Sequence, residues 1–532
     1  MKQRFKNCFI NLIVPAVIFG SLTGVLTAVI VNLYKLCAKG VIALSERGYQ
    51  YLRGHLYWVP LVLVALAAIA FFFAFLYRKL PNLRGGGIPT SIGILRGIIS
   101  FHWLKNLIGI FGLSLTSFLI GVPLGNEGPS VQMGTAIGRG SVFSFAKRHR
   151  AWDRYSMTGG ACAGFSVATG APISGIMFAI EEAHQRISPT ILIVAATSVM
   201  VSYFTTELMG MFLPVDTTLF PKVQPMALSV KDIWIPIVIG IAMGLFAVLF
   251  LKYYRWINTL INRKMKKIPH GFKIFFIFLL TFLLGLCSYS FVSTGHDLIL
   301  TLFDGTVTIY MLLLILLVRA TLTLSASSTS ITGGMFVPVL ALGTVLSAVL
   351  GETLERLLGW GQDYYMIILL LGITACIAGM MKMPLTAILF AVEALACYEN
   401  ILYVIVVSAV AYIITEIFGV HSVNESVLKN RVQELNEGRA SKVIDTFVTV
   451  QKDSFAVGKQ IRDIFWPANL FVLSLQHAEN RDAEVDEHGG KAIREGDILH
   501  VRYSTYDERQ TKEELTAIVG EQSYREEEAQ II

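Results

Sequence analysis

The sequence predicts an all-α polytopic membrane domain of broken, tilted helices in two repeated halves, followed by a small α+β domain. Three observations predict it: an apolar composition, an uneven placement of charge, and a pair of internal repeats. Of 532 residues, 54% are hydrophobic and 15% are charged, against about 25% charged in soluble domains. Most of such a chain cannot face water, and its low charge excludes disorder. Six scattered cysteines exclude a disulfide-stapled secreted fold, and none has a metal-ligand spacing. The first 424 residues carry 30 basic and 16 acidic side chains, a net of +14; the last 108 carry 14 and 21, a net of −7. The expected division is 1–430 for the membrane domain and 431–532 for the soluble one. The formal +7 of the whole chain averages two unlike parts, so it does not argue for nucleic acid.

Taken in order, the chain starts MKQRFKN and turns apolar at Cys8. A basic flank with no small-residue cleavage site after a short core predicts a first span rather than a removed signal peptide, and it predicts cytoplasmic termini in a plasma membrane. The basic clusters at 147–150 and 263–267 read as topogenic loops. A span needs about 20 apolar residues. Candidates lie at 9–36, 58–76, 104–122, 191–203, 233–250, 272–288, 311–318, 366–380 and 402–417. Between them, 159–179 and 333–351 are too apolar for loops and too rich in glycine or proline for plain spans. Short helices that end inside the membrane are how transporters and channels hold a polar solute at mid-depth. The chain also repeats itself. Residues 171–181 (APISGIMFAIE) match 383–393 (MPLTAILFAVE) at an offset of 212, and GNEGP from Gly125 matches GMFVP from Gly334 at 209. Two matches in order, at nearly one offset, predict two structural halves with a solute site at their junction.

Three segments share a form, glycines and a proline before an apolar helix: GGGIP at 85–89, GNEGP at 125–129 and GGMFVP at 333–338. Proline suits a helix's first turn, and glycine leaves backbone N–H groups bare. A helix start exposes about four unpaired N–H groups and roughly half a positive charge. Several starts converging in a dry membrane make an anion site without lysine or arginine, and a full cation would hold the anion too tightly for conduction.

These residues resemble the CLC family of chloride channels and proton-coupled chloride antiporters, whose signatures GSGIP, G(K/R)EGP and GxFxP appear here in order as GGGIP, GNEGP and GMFVP. The likeness covers roughly residues 1 to 430. It implies a homodimer with one pore per subunit, each built from two inverted halves, that exchanges chloride for protons. A carboxylate at a helix start is ordinarily a favourable cap, but inside a membrane an unpaired one is a functional candidate. An ionised Glu127 is itself an anion and can close the anion site; protonated, it can swing away. The resemblance makes it the external gating glutamate, and it makes Glu182 the internal proton-transfer residue. Glu393, at the repeat-related position of Glu181, reads as structural, an ion-pair partner. The anion site is expected at Gly86, Gly87, Ile88, Asn126, Gly128, Phe336, Val337 and Asn424. Two of these depart from the family: Gly86 stands where a serine hydroxyl, and Asn424 where a tyrosine phenol, contacts the central anion. That loss leaves the site to backbone N–H groups near Phe336, Val337 and Gly87 and raises a passive channel as the alternative. Asn126 replaces a basic residue beside the gate and is similar to the fluoride-exporting branch; Glu182 and the intact GMFVP favour chloride.

In the tail, strands are expected at 443–450, 469–476 and 498–501, a helix at 457–465 and a closing helix at 512–519. The pattern resembles the TrkA-C (RCK-C) regulatory module of potassium-uptake proteins, carried by 461–464 (IRDI), Pro467 and 494–499 (REGDIL). That likeness implies dimerisation and a cyclic dinucleotide such as cyclic di-AMP, with Arg462 and His477 as candidate contacts; a passive dimer clamp is the other reading. No cofactor is expected. There is no TVGYG-like cation filter, and no HExxH or GxSxG to make the chain an enzyme.

Overall fold

The computed structural model describes residues 12–531 except 86, 146–149, 221–224, 304, 306, 360, 437–440, 478–482, 485–488 and 522–529. Helices come in the order α1 (Val14–Gly54), α2 (Val59–Lys79), α3 (Ile88–Leu95), α4 (Trp103–Ile120), α5 (Glu127–Phe145), α6 (Asp153–Thr169), α7 (Pro172–Phe178), α8 (Pro189–Gly210) and α9 (Trp234–Thr259). Then follow α10 (His270–Cys287), α11 (His296–Phe303), α12 (Ile309–Ser328), α13 (Phe336–Leu358), α14 (Gln362–Met380), α15 (Pro384–Glu393), α16 (Ile401–Ile417) and α17 (Val423–Leu435). Among the described residues, nine helical segments are long and apolar enough to cross a membrane. Each expected span falls on a helix over its described residues; 9–11 of the first lie outside them. The first runs to Gly54, past the expected 36: Lys39, Arg47 and Gln50 are exposed on one continuous helix, while Ser45 and Tyr49 are buried on its other side.

Of the two stretches expected to be interrupted, 333–351 is not: Phe336–Leu358 is one continuous helix, long and apolar enough to span, because Pro338 falls in its first turn, where proline is tolerated. The other, 159–179, is broken where its sequence demands it. Gly170 ends α6 in a left-handed conformation (φ 69°) and Pro172 opens α7; proline cannot continue a helix but starts one well. After α7 the chain makes a π turn, Ala179–Ala183, a geometry that recurs at functional sites. Helices α5 and α6 touch backbone to backbone: a Cβ on Gly134 would lie 2.0 Å from the Gly160 carbonyl oxygen. Small residues allow that approach, and dispersion between close backbones holds membrane helices together.

The tail is a five-stranded antiparallel sheet of order β3-β2-β4-β1-β5, with β1 Lys442–Thr449, β2 Leu470–Gln476, β3 Ala483–Glu484, β4 Ile498–Thr505 and β5 Gln530–Ile531. Helix α18 (Glu508–Val519) buries Leu515 and Val519 against Val448, Leu499 and Val501. Asp507 caps it, accepting from Gln510 N at 3.2 Å. One expectation in the tail needs correction. Residues 457–465 form turns and a short 3₁₀ element, Ile461–Asp463, because their backbone groups bond outward: Gly458 N to Ile493 O (2.8 Å) and Arg462 N to Gly489 O (3.0 Å). Helix α17 runs unbroken through 430 and 431, so the composition changes inside a helix and the sheet begins only at Lys442.

Candidate anion and proton site

The three glycine motifs meet. A Cβ on Gly128 would lie 2.6 Å from Gly334 Cα and 3.1 Å from Gly87 Cα, and one on Gly87 would lie 2.9 Å from Gly128 Cα. One glycine from each motif therefore packs Cα to Cα, and no side chain fits between. Hydrogen bonds stitch the loops. Gly125 and Gly334 exchange both backbone bonds (2.7 and 2.8 Å), Gly85 N donates to Ser330 O (2.7 Å), and Gly333 N donates to Gly85 O (3.2 Å). Gly87 has φ 95° and ψ −154°, a conformation that glycine alone adopts at little cost.

This junction brings together the starts of α3, α5 and α13. Their internal ladders begin with Ser91 N to Gly87 O, Ser130 N to Asn126 O and Val339 N to Met335 O, each at 3.0 Å. The N–H groups of Ile88, Glu127, Gly128, Phe336 and Val337 precede those bonds. Ile88, Phe336 and Val337 are buried. The Phe336 ring meets Phe165 edge-on (5.2 Å, 84°) and Phe390 at 5.8 Å, which fixes the start of α13. Gly87 departs from expectation: its N–H is taken by Gln132 Oε1 (2.5 Å). Gln132, on α5, donates in turn to Asn106 Oδ1 (3.1 Å) and Asn82 O (3.2 Å). Gly87 thus anchors the junction through a buried amide network, and its N–H is not free for an anion. Gly86 lies outside the described residues. The Asn126 carbonyl accepts both Ser130 N and Ser130 Oγ, the latter at 2.8 Å.

Glu127 stands at this junction with 0% exposure. Neither carboxylate oxygen has a side-chain partner or a well-aligned hydrogen bond among the described residues; the backbone N–H groups of Glu127 itself and of Val337 are what face it. Its Oε2 folds back over Gly125, 2.5 Å from where a Cβ would sit, in a notch also bordered by Val337 Cβ and Pro338 Cδ. The absent Gly125 side chain is what makes that room.

Glu182 is held differently. It lies in the π turn, buried, and its Oε1 accepts Asn424 Nδ2 at 3.0 Å. Asn424, expected to contact the anion, directs its amide to this carboxylate. It is buried in the first turn of α17, whose cap is Ser422 Oγ accepting Glu425 N (3.0 Å). Arg96 grips the same turn, donating to Glu182 O and Ala183 O (3.0 Å each) and pairing with Glu425 (3.1 Å). Glu393, expected as an ion-pair partner, has no cation within ion-pair distance among the described residues, and neither has Glu181. Each caps the other's repeat: Glu393 accepts from Ile173 N, Ser174 N and Ser174 Oγ (2.7–2.9 Å), and Glu181 from Leu385 N, Thr386 N and Thr386 Oγ (2.7–3.0 Å). Carboxylates at helix starts are stabilising there. In the tail, Arg462 Nε donates to Gln460 Oε1 (2.9 Å) and His477 Nδ1 meets Asp497 Oδ1 (3.0 Å).

The sequence profile of the family described as voltage gated chloride channel matches residues 69–416. The chain belongs to that family. The H(+)/Cl(-) exchange transporter ClcA of Vibrio vulnificus (strain YJ016) is 27% identical over 434 residues, covering 79% of this chain and 90% of the relative. ClcA of Vibrio parahaemolyticus is 26% identical over 442 residues, covering 80% and 93%. Among solved structures, a slow cyanobacterial Cl−/H+ antiporter superposes with a TM-score of 0.69 at 22% identity, over 79% of this chain and 99% of that one. A CLC-type fluoride/proton antiporter gives 0.61 at 20%, over 76% and 96%. The described membrane helices thus form the helical fold of this family.

Gln132, Arg96 and the crossed Glu181–Glu393 caps were not assigned these roles from sequence. Only the caps left a signal there, as glutamates at equivalent places in the two repeats.

Proposed function

We propose that the protein is a secondary transporter exchanging chloride for protons. The anion sits where α3, α5 and α13 begin, facing N–H groups of Ile88, Gly128, Phe336 and Val337, with Asn126 beside the gate. Converging helix starts supply partial positive charge without a fixed cation, so the anion is attracted but can leave. Glu127 is the gate. Its ionised carboxylate competes with chloride for the same dipoles; protonated, it loses that attraction and yields the place. Glu182 passes the proton on the tail side, with Asn424 as its partner rather than as an anion ligand.

One observation carries this reading: a wholly buried carboxylate with no side-chain partner among the described residues, facing only the backbone N–H groups of Glu127 itself and Val337, folded into a glycine notch where three motif backbones touch. A buried carboxylate otherwise needs pairing or firm hydrogen bonds, and an exchange of occupants at these N–H groups accounts for the absence of a fixed partner. The ClcA relatives and the antiporter structures support the same activity. A cavity of about 310 Å³ lined by Arg84, Lys266, Lys267, His270 and Lys273 serves as a basic mouth; a second, smaller cavity shares Arg84 and reaches Gly85.

The proposal includes two inverted halves. The Gly125–Gly334 exchange and the crossed caps are reciprocal, each repeat giving its partner what it receives, as a two-fold relation between halves requires. It also includes a homodimer in the plasma membrane with cytoplasmic termini. The tail is a TrkA-C-type regulatory module that pairs across the dimer and takes a cyclic dinucleotide near Arg462 and His477. The deciding experiment is reconstituted flux with a proton electrode under chloride and fluoride gradients. Uphill proton movement driven by chloride is expected. Chloride flux without proton flux would make the protein a channel, and proton coupling to fluoride alone would make it a fluoride exporter.

A further inference from the structure

We propose that Phe465, carried on the tail, is a positioning residue for proton transfer at Glu182; this rests on the reading of Glu182 given above. Phe465 is 5% exposed, and it is packed into the core of the membrane part, not into the core of the sheet. Its ring lies 4.4 Å from that of Tyr155 and 4.5 Å from that of His184. The guanidinium groups of Arg186 and Arg154 sit 4.6 and 5.3 Å from its centroid. The backbone around it is bonded to the same residues. Tyr155 Oη donates to Asp463 O (2.8 Å) and accepts from Phe465 N (3.3 Å), Arg186 Nη2 donates to Ile464 O (3.4 Å), and Arg154 Nη1 donates to Trp466 O. Tail segment 463–466 is thereby seated on two pieces of the membrane domain, the start of α6 and the chain just after the π turn.

The second piece is the one that matters. His184 follows the turn directly. Its N–H closes the turn on Ala179 O (3.1 Å), and its Nε2 meets Thr158 Oγ1 (2.8 Å). Glu182 lies two residues before it. A π turn is a poor helix on its own and persists where its surroundings hold it. Here three clamps hold it: Arg96 on the carbonyls of Glu182 and Ala183, Thr158 on the His184 ring, and the Phe465 ring on His184 and Arg186. The last clamp comes from the soluble part, so seating or unseating the tail changes how firmly the Glu182 carboxylate is aimed, while the glycine junction that holds the anion is untouched. Phe465 touches neither ion; it acts through the turn.

The test uses the full chain in liposomes, measuring proton and chloride flux together. Phe465→Ala is expected to lower the proton-to-chloride ratio roughly threefold to tenfold, the size produced by residues coupled to a site without touching its ligand, with chloride flux retained. Phe465→Leu keeps apolar bulk but loses the ring faces, and its ratio falls between the two. In a Glu182→Gln background, Phe465→Ala should change the ratio no further, as two residues acting through one step require. A ratio equal to wild type in Phe465→Ala, or proton and chloride flux falling in proportion, overturns the inference and leaves the antiporter reading standing. A wild type without proton flux overturns both. If Phe465→Ala does not assemble, Phe465→Leu decides: a lowered ratio supports the inference and an unchanged one ends it.

Discussion

Glu127 and Glu182 are both buried carboxylates in a membrane domain, and they are built in opposite ways. Glu127 has no side-chain partner among the described residues and rests in a notch that exists because Gly125 lacks a side chain. Glu182 has a dedicated amide from Asn424, and Arg96 fixes its backbone. No side chain holds the first against rotation, so it suits a gate that must leave its place. The second is held in one orientation, so it suits a proton station that must not move. Local sequence shows both as glutamates near helix ends, told apart only by the family resemblance; their neighbours make the physical difference.

The comparison breaks most visibly at Glu127. Glu127→Ala should abolish coupled proton movement and leave chloride flux, read by a proton electrode on liposomes; normal exchange in that variant removes Glu127 from the gate. Glu182→Gln should lower proton flux about a hundredfold, the usual worth of a positioned acid or base, with a smaller effect on chloride flux. Gly128→Ala tests the junction itself. Its methyl would meet Gly334 Cα at 2.6 Å, an overpacking worth roughly 1–3 kcal/mol, so thermal stability and chloride flux should both fall. Gly112→Ala, with nothing within 4 Å, is the control. Asn424→Ala sharpens the second site: it removes a hydrogen bond to a charged group, worth about 1.5–3 kcal/mol, and should reduce proton flux less than Glu182→Gln does. A fall in chloride affinity instead would return Asn424 to the anion's ligands.

The smallest effect belongs to the tail. Burial pushes the Asp445 carboxyl up, but hydrogen bonds from Arg502 (2.9 Å) and His500 outweigh it and hold the group below its ordinary 3.8. A group with a lowered folded pKa adds stability above its unfolded value and loses it as pH falls through the folded one. The β1–β4 pairing should therefore loosen slightly below about pH 4, with exposure and salt keeping the change small. Hydrogen exchange at the amides of β1 reads it, and Asp445→Asn should remove the pH dependence.

The membrane helices were legible because a bilayer leaves few choices. A run of about 20 apolar residues has to satisfy its own backbone, and the helix is how it does so. The three glycine–proline motifs were legible for a related reason: each announces a helix start where bare N–H groups are wanted. Segment 457–465 was misread as a helix because its apolar spacing fits one, while its backbone partners, Gly489 and Ile493, lie some thirty residues on. The ion-pair reading of Glu393 failed similarly. A carboxylate in a repeat can pair with a cation or cap a helix, and only the position of Ile173 and Ser174 decided for the cap.

By itself, then, the sequence determined that this chain spans a membrane with broken helices, repeats once and ends in a charged α+β tail, since composition, spacing and local propensity act over a few residues. The tertiary structure alone decided that Gly87, Gly128 and Gly334 touch, that Gln132 occupies the Gly87 N–H, that Asn424 serves Glu182, and that Phe465 reaches back to the π turn. Those are meetings between residues tens to hundreds apart, and no local preference encodes which partner a buried polar or aromatic group will find.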